Sequence, residues 1–379
     1  AITGEQALLP VQRWFFEQAF KASQHWNQSF LLEVPHDLGS GPIERFLSVL
    51  VRHHDALRLR FTRQEGQWVA RYGGVPESVA VQCHDLSVCS DEEFPAHIER
   101  LGYEAKGRLD LAHGPLVRAA LFNLGNDRPQ RLLLTIHHLV IDTVSWRVLL
   151  ADLEQLYTQW RAGEPLTLPA KTTPYQYWAE RLVAYANSDT LRQELTYWTR
   201  PALQDVPPIP VDFTLSENAN TVASIRSIAV TLDEACTRDL LERVHSAYNT
   251  QINDLLLCAL VRAYTIWSGS SRLLIHLEGH GREELFEDID LAHTVGWFTT
   301  IYPVLIEGVG QTLADDLKAI KEQLRAVPKK GIGYGALKYL RQEALPEIAP
   351  AISFNYLGQF DQTLNSNGAI QFTQEPSGF

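Results

Sequence analysis

Between residues 41 and 54, apolar side chains fall at Ile43, Phe46, Leu47, Leu50 and Val51. That is the spacing of one helix face, and Pro42 suits its first turn. "ALRLRF" (56–61) then alternates as a strand does. Residues 131–141 read as strand, and 146–160 return to helical spacing through Leu149, Leu150, Leu153, Leu156 and Trp160. Proline-punctuated connections follow at 165–174 and 201–213. Thr231 and Glu234 have capping-box spacing ahead of a helical stretch, and 252–267 predict a buried helix. "RLLIHLEGHG" (272–281) predicts a strand running into a glycine-rich turn. An amphipathic helix follows through Leu313, Leu317, Ile320 and Leu324, stopped by Pro328. "AISFNYLG" (351–358) reads as strand, and Asn367-Gly368 between apolar residues predicts a hairpin turn. Helices and strands mix throughout, so the pattern predicts an α/β (or α+β) fold in two lobes, without internal repeats.

Composition adds bounds. A chain of 379 residues, 45% hydrophobic and 21% charged, has room for a sizeable core in two domains or one two-lobed unit. A net charge of −12 and a pI of about 5.5 argue against a nucleic-acid backbone or an anionic membrane as main partner. No apolar run reaches the roughly 18–20 residues of a membrane span. The cysteines at 83, 89, 236 and 258 have no paired spacing, which fits a reducing cytoplasm. The N-terminus has no signal-peptide pattern, and the chain contains no Met, so it reads as a piece excised from something longer.

Chemistry concentrates in "RLLLTIHHLVIDTVSW" (131–146). Adjacent strand residues point to opposite faces, so His137 and His138 do not readily share one metal ion. No HExxH or CxxC pattern supplies further ligands, and no metal is expected. His137 reads as a core residue. His138, near the strand's end, stands between a core residue and a catalytic group. Asp142 reads as a structural partner that holds the turn, because a buried carboxylate needs a cation or several donors. "RHHDALR" (52–58) has similar composition but reads as a solvated helix end complementing the dipole. "CHDLSVC" (83–89) matches no common zinc spacing. In "LEGHGREE" (277–284), glycines flank His280 directly after a strand, and Glu278 stands at that strand's end. "KKGIGYGALKYL" (329–340) is glycine-rich but lacks the GK[ST] of a phosphate-binding loop.

Seven motifs together resemble the epimerization domains of nonribosomal peptide synthetases, within the condensation-domain superfamily. They are "LPVQRWFFEQ" (9–18), "HWNQS" (25–29), "HHLVIDTVSW", "LEGHGRE", "TVGWFTTIYP", "GIGYG" and "FNYLGQ" (354–359). Thr143 departs from the pattern: the family usually has Gly after this Asp, and a β-branched residue disfavours a positive-φ turn. The chain also stops, at "EPSGF", before the family's last segment.

The resemblance implies two chloramphenicol-acetyltransferase-like lobes forming a V around a central tunnel. We expect residues 1–172 as the N-terminal lobe and 173–379 as the C-terminal lobe. It implies an L-to-D exchange, reversible, at the Cα of an aminoacyl or peptidyl thioester, in the making of peptide antibiotics that contain D-amino acids. The substrate hangs on the phosphopantetheine of an upstream peptidyl carrier protein, with neighbouring synthetase domains as further partners and no cofactor bound by the domain itself. Such chemistry needs a base for the Cα proton, a proton source on the opposite face and donors for the enolate. His138 and Glu278 are the implied pair across the tunnel, with Glu278 as main base. Tyr356 is a third catalytic candidate, Asn355 and Ser145 support, and Trp146, Trp297 and Phe298 line the tunnel. Alternatives are a condensation domain joining two carrier-bound substrates, which typically lacks the Glu at 278, a catalytically inactive docking or recruitment domain, and, more weakly, a stand-alone acyltransferase.

Overall fold

The computed structural model describes residues 2–90, 92–125, 128–214, 220–308, 310, 312–359, 364, 368–373 and 375. Its first half holds strands β1 (Gly4–Gln6), β2 (Asn27–Val34), β3 (Leu59–Gln64), β4 (Gln67–Tyr72), β5 (Val81–Asp85), β6 (Val117–Asn123) and β7 (Gln130–His137). Helices α1 (Pro10–Glu17), α2 (Ser40–His53), α3 (Phe94–Lys106) and α4 (Thr143–Ala162) accompany them. The predicted faces of α2 and α4 are the buried ones: Ile43, Phe46, Leu47, Leu50 and Val51 pack in one core with Leu149, Leu150, Leu153 and Leu156. "ALRLRF" is half a strand, because 55–58 form a 3-10 turn before β3 begins at Leu59.

The second half carries α5 (Tyr175–Ala186), the short helices α6 (Asp189–Arg192), α7 (Leu195–Trp198), α8 (Glu234–Arg238) and α9 (His245–Tyr248), then α10 (Ile252–Ser268), α11 (Leu313–Arg325) and α12 (Ile332–Gly335). Its sheet has the order β10-β8-β9, from β8 (Arg272–Gly279), β9 (Thr300–Glu307) and β10 (Ser353–Phe354). Along β8 the burial alternates. Leu273, Ile275 and Leu277 enter a second core with Leu257, Val261, Val304, Leu317 and Ile320. Leu274, His276 and Glu278 stand on the opposite, half-buried face, as the period of two requires.

Several expectations change. The predicted cap at Thr231 is replaced by Asp233, whose carboxylate accepts the Cys236 N–H at 2.7 Å, so α8 starts two residues later than a Thr231 cap implies. The strand expected over 351–358 is paired only at Ser353–Phe354, parallel to β8. Asn367 of the expected hairpin lies outside the described residues. Strand β11 (Gln371–Phe372) instead pairs antiparallel with β2, at the edge of the five-stranded sheet β11-β2-β7-β6-β5. We propose residue 172 as the division between halves, with β11 returning to the first. "RHHDALR" is not solvated: His54, Asp55 and Arg58 are buried, because Asp55 holds Arg58 at 2.6 Å and Lys171 at 2.9 Å while His54 meets Asp152 at 2.7 Å. Thr143 takes the first helical position of α4, so the backbone there needs no positive φ. Among the described residues, no helix is long and apolar enough to cross a membrane.

Candidate active site

Strand β7 ends at His137, and a 3-10 turn (His138–Val140) redirects the chain. His137 is fully buried. Its Nδ1 accepts the Leu139 N–H at 3.1 Å, so its Nε2 carries the proton and donates to the Ser23 carbonyl at 2.9 Å. Both ring nitrogens are thereby committed, and burial lowers the imidazole pKa to about 4. This is the core histidine that the strand alternation predicts.

His138 is half-buried and differently held. Its amide donates to the Trp26 carbonyl at 2.9 Å, and its Nδ1 donates to the Ile141 carbonyl at 2.7 Å. Its Nε2 lies 3.1 Å from the Gln28 side-chain nitrogen. The Gln28 orientation follows from Trp146: an indole N–H can only donate, and it meets Gln28 Oε1 at 2.9 Å. The Gln28 amide nitrogen therefore faces His138 and donates to it. The ring is the Nδ1–H tautomer with an Nε2 acceptor, and burial lowers its pKa, which favours this neutral form. The Trp297 ring stands beside it, 4.4 Å between centroids. Trp146 lies in the first core. It is 1% exposed, packed edge-on against Phe30 in the first core, and its part is to orient Gln28.

Asp142 does more than hold its own turn. It caps α4, Oδ1 accepting the Ser145 N–H at 2.7 Å. Its Oδ2 accepts the Phe298 N–H at 3.0 Å, from the second half of the chain. Ser145 Oγ donates to the Gly296 carbonyl at 2.8 Å and accepts from the Gly296 amide at 3.0 Å. Arg282 closes the network. It donates to Ser145 Oγ at 2.8 Å and to the Leu291 and Thr294 carbonyls at 2.7 and 2.8 Å, and lies 4.0 Å over the Phe298 ring. The bend after β8 that delivers Arg282 needs Gly281: φ is +67°, and a Cβ would stand 1.7 Å from the Phe298 carbonyl oxygen.

Glu278 sits at the end of β8, opposite Ile301 of β9. Asn355 Nδ2 donates to its Oε2 at 2.9 Å, and Ser353 Oγ lies 3.4 Å from its Oε1. Burial raises its pKa against the opposing hydrogen bond from Ser353. Asn355 thus joins Glu278 directly. Tyr356 follows it on the same segment, half-buried, and no described residue forms a hydrogen bond that links its hydroxyl to Glu278 or His138. The His138 and Glu278 groups come from different halves and each neighbours one short segment. Trp297 touches His138, and four residues later Ile301 pairs with Glu278. A cavity of about 560 Å³ adjoins this segment and is lined by Trp297 and Phe298, but not by His138 or Glu278 themselves. Gln28 and Arg282 were not singled out from the sequence, although both fall inside quoted motifs. Their importance depends on partners 110 and 137 residues away.

The condensation-domain family profile ("Condensation domain") matches residues 2–378. The chain belongs to the condensation-domain family. A protein of the linear gramicidin synthase of Brevibacillus parabrevis is 44% identical over all of this chain. Tyrocidine synthase 1 of the same organism is 38% identical over 99% of it. The chain spans only 5% and 34% of those two proteins. The crystal structure of the epimerization domain from the third module of tyrocidine synthetase B superposes with a TM-score of 0.90 at 36% identity, over all of this chain and 85% of that one. The first condensation domain of the calcium-dependent antibiotic synthetase shares the fold, at a TM-score of 0.68 and 20% identity, over 88% and 75% of the respective chains. The motif resemblance and these matches agree.

Proposed function

We propose that this domain, within a nonribosomal peptide synthetase, exchanges L and D configuration at the Cα of an aminoacyl or peptidyl thioester presented on a carrier-protein phosphopantetheine. The observation that carries the reading is Glu278: a carboxylate at a strand end, pushed up by burial and held by Asn355 at 2.9 Å. A base that removes a thioester α-proton works best with a pKa raised toward that of its task. Glu278 takes the Cα proton from one face. In the Nδ1–H tautomer His138 Nε2 is the basic nitrogen and accepts from Gln28; once it exchanges that bond for a proton, His138 serves the other face or the enolate. Tyr356 is a second proton donor in this scheme. The likeness to an epimerization domain supports this reading over condensation. The carrier arm is substrate tether, and the neighbouring synthetase domains and the carrier are the partners.

The test is Cα exchange in deuterated water with one loaded carrier. Wild type should incorporate solvent deuterium and give D-isomer without any second substrate. Glu278→Gln should slow exchange at least about a hundredfold, the usual scale for a lost general base. Wild-type exchange in that variant removes Glu278 as base. Peptide-bond formation on adding a second loaded carrier, with no exchange from one, establishes the condensing alternative instead.

A further inference from the structure

Residues 296–298 are fixed more completely than a connection into β9 requires. Ser145 Oγ takes both the carbonyl and the amide of Gly296, at 2.8 and 3.0 Å. The Tyr175 hydroxyl does the same for Trp297, donating to its carbonyl at 2.9 Å and accepting from its amide at 3.2 Å. Asp142 accepts the Phe298 amide at 3.0 Å. Gly296 lets Tyr175 come this close, because a Cβ there would stand 2.4 Å from the Tyr175 ring. Every backbone polar group from the Gly296 amide to the Phe298 amide is thus held by one of three buried side chains, Ser145, Tyr175 and Asp142. What they fix is the Trp297 indole, 2% exposed, against His138. The ring centroids are 4.4 Å apart and the planes 34° from parallel. Phe15 packs on the same indole edge to face at 6.4 Å, and Trp26 stacks on His138 more loosely, at 6.4 Å and 21°.

The exchange proposed above makes His138 cationic whenever it takes a proton at Nε2. The edges of the ring then offer little compensation. Nδ1–H keeps the Ile141 carbonyl. The new Nε2–H faces the Gln28 amide nitrogen, which is a donor. Gln28 cannot turn its oxygen toward His138 without giving up the Trp146 indole N–H, which only donates. The charged group acting on His138 is Asp142. That carboxylate already accepts from Ser145 and Phe298 and lies 3.5 Å from the Arg282 guanidinium. His137 is committed at both nitrogens and adds no charge. What remains for a half-buried imidazolium is an aromatic face. Such a face attracts a cation within about 6 Å of its centroid, tryptophan most strongly, and Trp297 stands inside that distance.

We infer that Trp297 is a positioning residue for His138: its indole face supports the imidazolium that forms when His138 takes a proton, and keeps the charged ring in the one orientation from which that proton returns to Cα. The inference rests on the epimerase reading above. Nε2 gains the proton that leaves Cα, or gives one to the enolate carbon, and Trp297 neither gains nor loses a proton. Ser145 and Asp142 therefore do more than join the halves. They aim an indole of the second half at a histidine of the first.

The experiment titrates His138 by NMR in histidine-labelled protein, its resonance assigned by its absence from His138→Gln. Trp297→Leu removes the aromatic face and should raise the acid dissociation constant of His138 about tenfold; Trp297→Phe, with a weaker face, should raise it about threefold. Cα exchange on one loaded carrier, measured in parallel, should show kcat lower by at least about threefold in Trp297→Leu, with KM kept. Tetrafluorotryptophan at position 297 keeps the shape of the ring without its negative face. It reads the same constant where Trp297→Leu folds poorly or admits water, and should also raise it about tenfold. A dissociation constant unchanged or lowered in both the leucine and the fluorinated protein overturns the inference, and so does a wild-type kcat beside a raised constant. If wild type itself shows no exchange, the epimerase reading fails, whereas the titration still decides whether Trp297 supports the imidazolium.

Discussion

Acidification should unfold this domain through His137, and the size of the effect follows from its surroundings. Its imidazole is fully buried, with Nδ1 accepting from Leu139 and Nε2 donating to Ser23. A proton added at Nδ1 would set one donor against another inside a core. Its pKa is accordingly depressed from 6.5 to about 4. The sign is that of a group preferring its neutral form when folded: the stability it contributes is complete above pH 6.5 and is lost as pH falls toward 4. Each unit is worth about 1.4 kcal/mol, so the loss across that window is about 3 kcal/mol, a large part of a typical domain's stability. The assay is urea unfolding at several pH values between 7.5 and 4.5, for wild type and His137→Gln. The variant keeps a side-chain N–H for Ser23 and has nothing to protonate. Wild type should be the more stable at pH 7.5, and its advantage should shrink by about 3 kcal/mol toward pH 4. A constant difference across the series refutes the buried-neutral assignment. Exchange activity at pH 7.5 in folded His137→Gln should survive, which separates His137 from His138.

Three other perturbations follow. Gln28→Leu removes the donor to His138 Nε2 and leaves the Trp146 indole N–H unpaired; kcat for exchange should fall about tenfold, and an unchanged kcat shows that the tautomer is set elsewhere. Arg282→Lys loses the fork that reaches Ser145, Leu291 and Thr294 together; thermal unfolding should report a loss of about 2–4 kcal/mol, and wild-type stability contradicts the bridging role. The acid limb of kcat/KM should lie above the ordinary carboxylate value of about 4.3, because Glu278 must be ionised to act and burial raises its pKa; activity rises with pH through that limb, and a profile flat down to pH 4 excludes Glu278 as the base.

What the sequence revealed depended on distance along the chain. The long helices α2, α4, α10 and α11 were legible because their apolar spacing is local and repeated. The burial of His137 was legible too, although His138 is set apart from it by the 3-10 turn that starts there rather than by strand alternation. "RHHDALR" misled because its burial is set by Asp152 and Lys171, 98 and 116 residues away from His54 and Asp55. The last strands misled for the same reason. Residues 351–358 have strand composition throughout, but only two find a partner in β8, and β11 pairs with β2 rather than with a neighbour in sequence. Thr143 shows the converse. A residue that looked wrong for a positive-φ turn is harmless once the Asp142 cap starts the helix at that position.

The candidate pair is linked by a network whose polar bonds go to neither member. Asp142 lies four residues after His138, and Arg282 lies four residues after Glu278. Asp142 and Ser145 bind the segment 296–298, and Arg282 binds Ser145. That same segment presents Trp297 to His138 and leads into β9 opposite Glu278. The separation between the two groups is thus set by buried, charge-assisted hydrogen bonds rather than by loop length. Positioning errors of about 1 Å cost roughly a hundredfold in rate, so a lesion in the bridge should mimic a lesion in the site. The two are separable by KM and kcat. A displaced pair lowers kcat with carrier affinity kept, whereas loss of the bridge as a folding element lowers stability first. The same logic locates the reaction's identity. The hydrogen bonds that orient His138 come from residues 26–28 and 141, and would orient it equally for another acyl chemistry. The end of β8, with its bend at Gly281 and its carboxylate at Glu278, adds the second titratable group on which the proposed exchange depends.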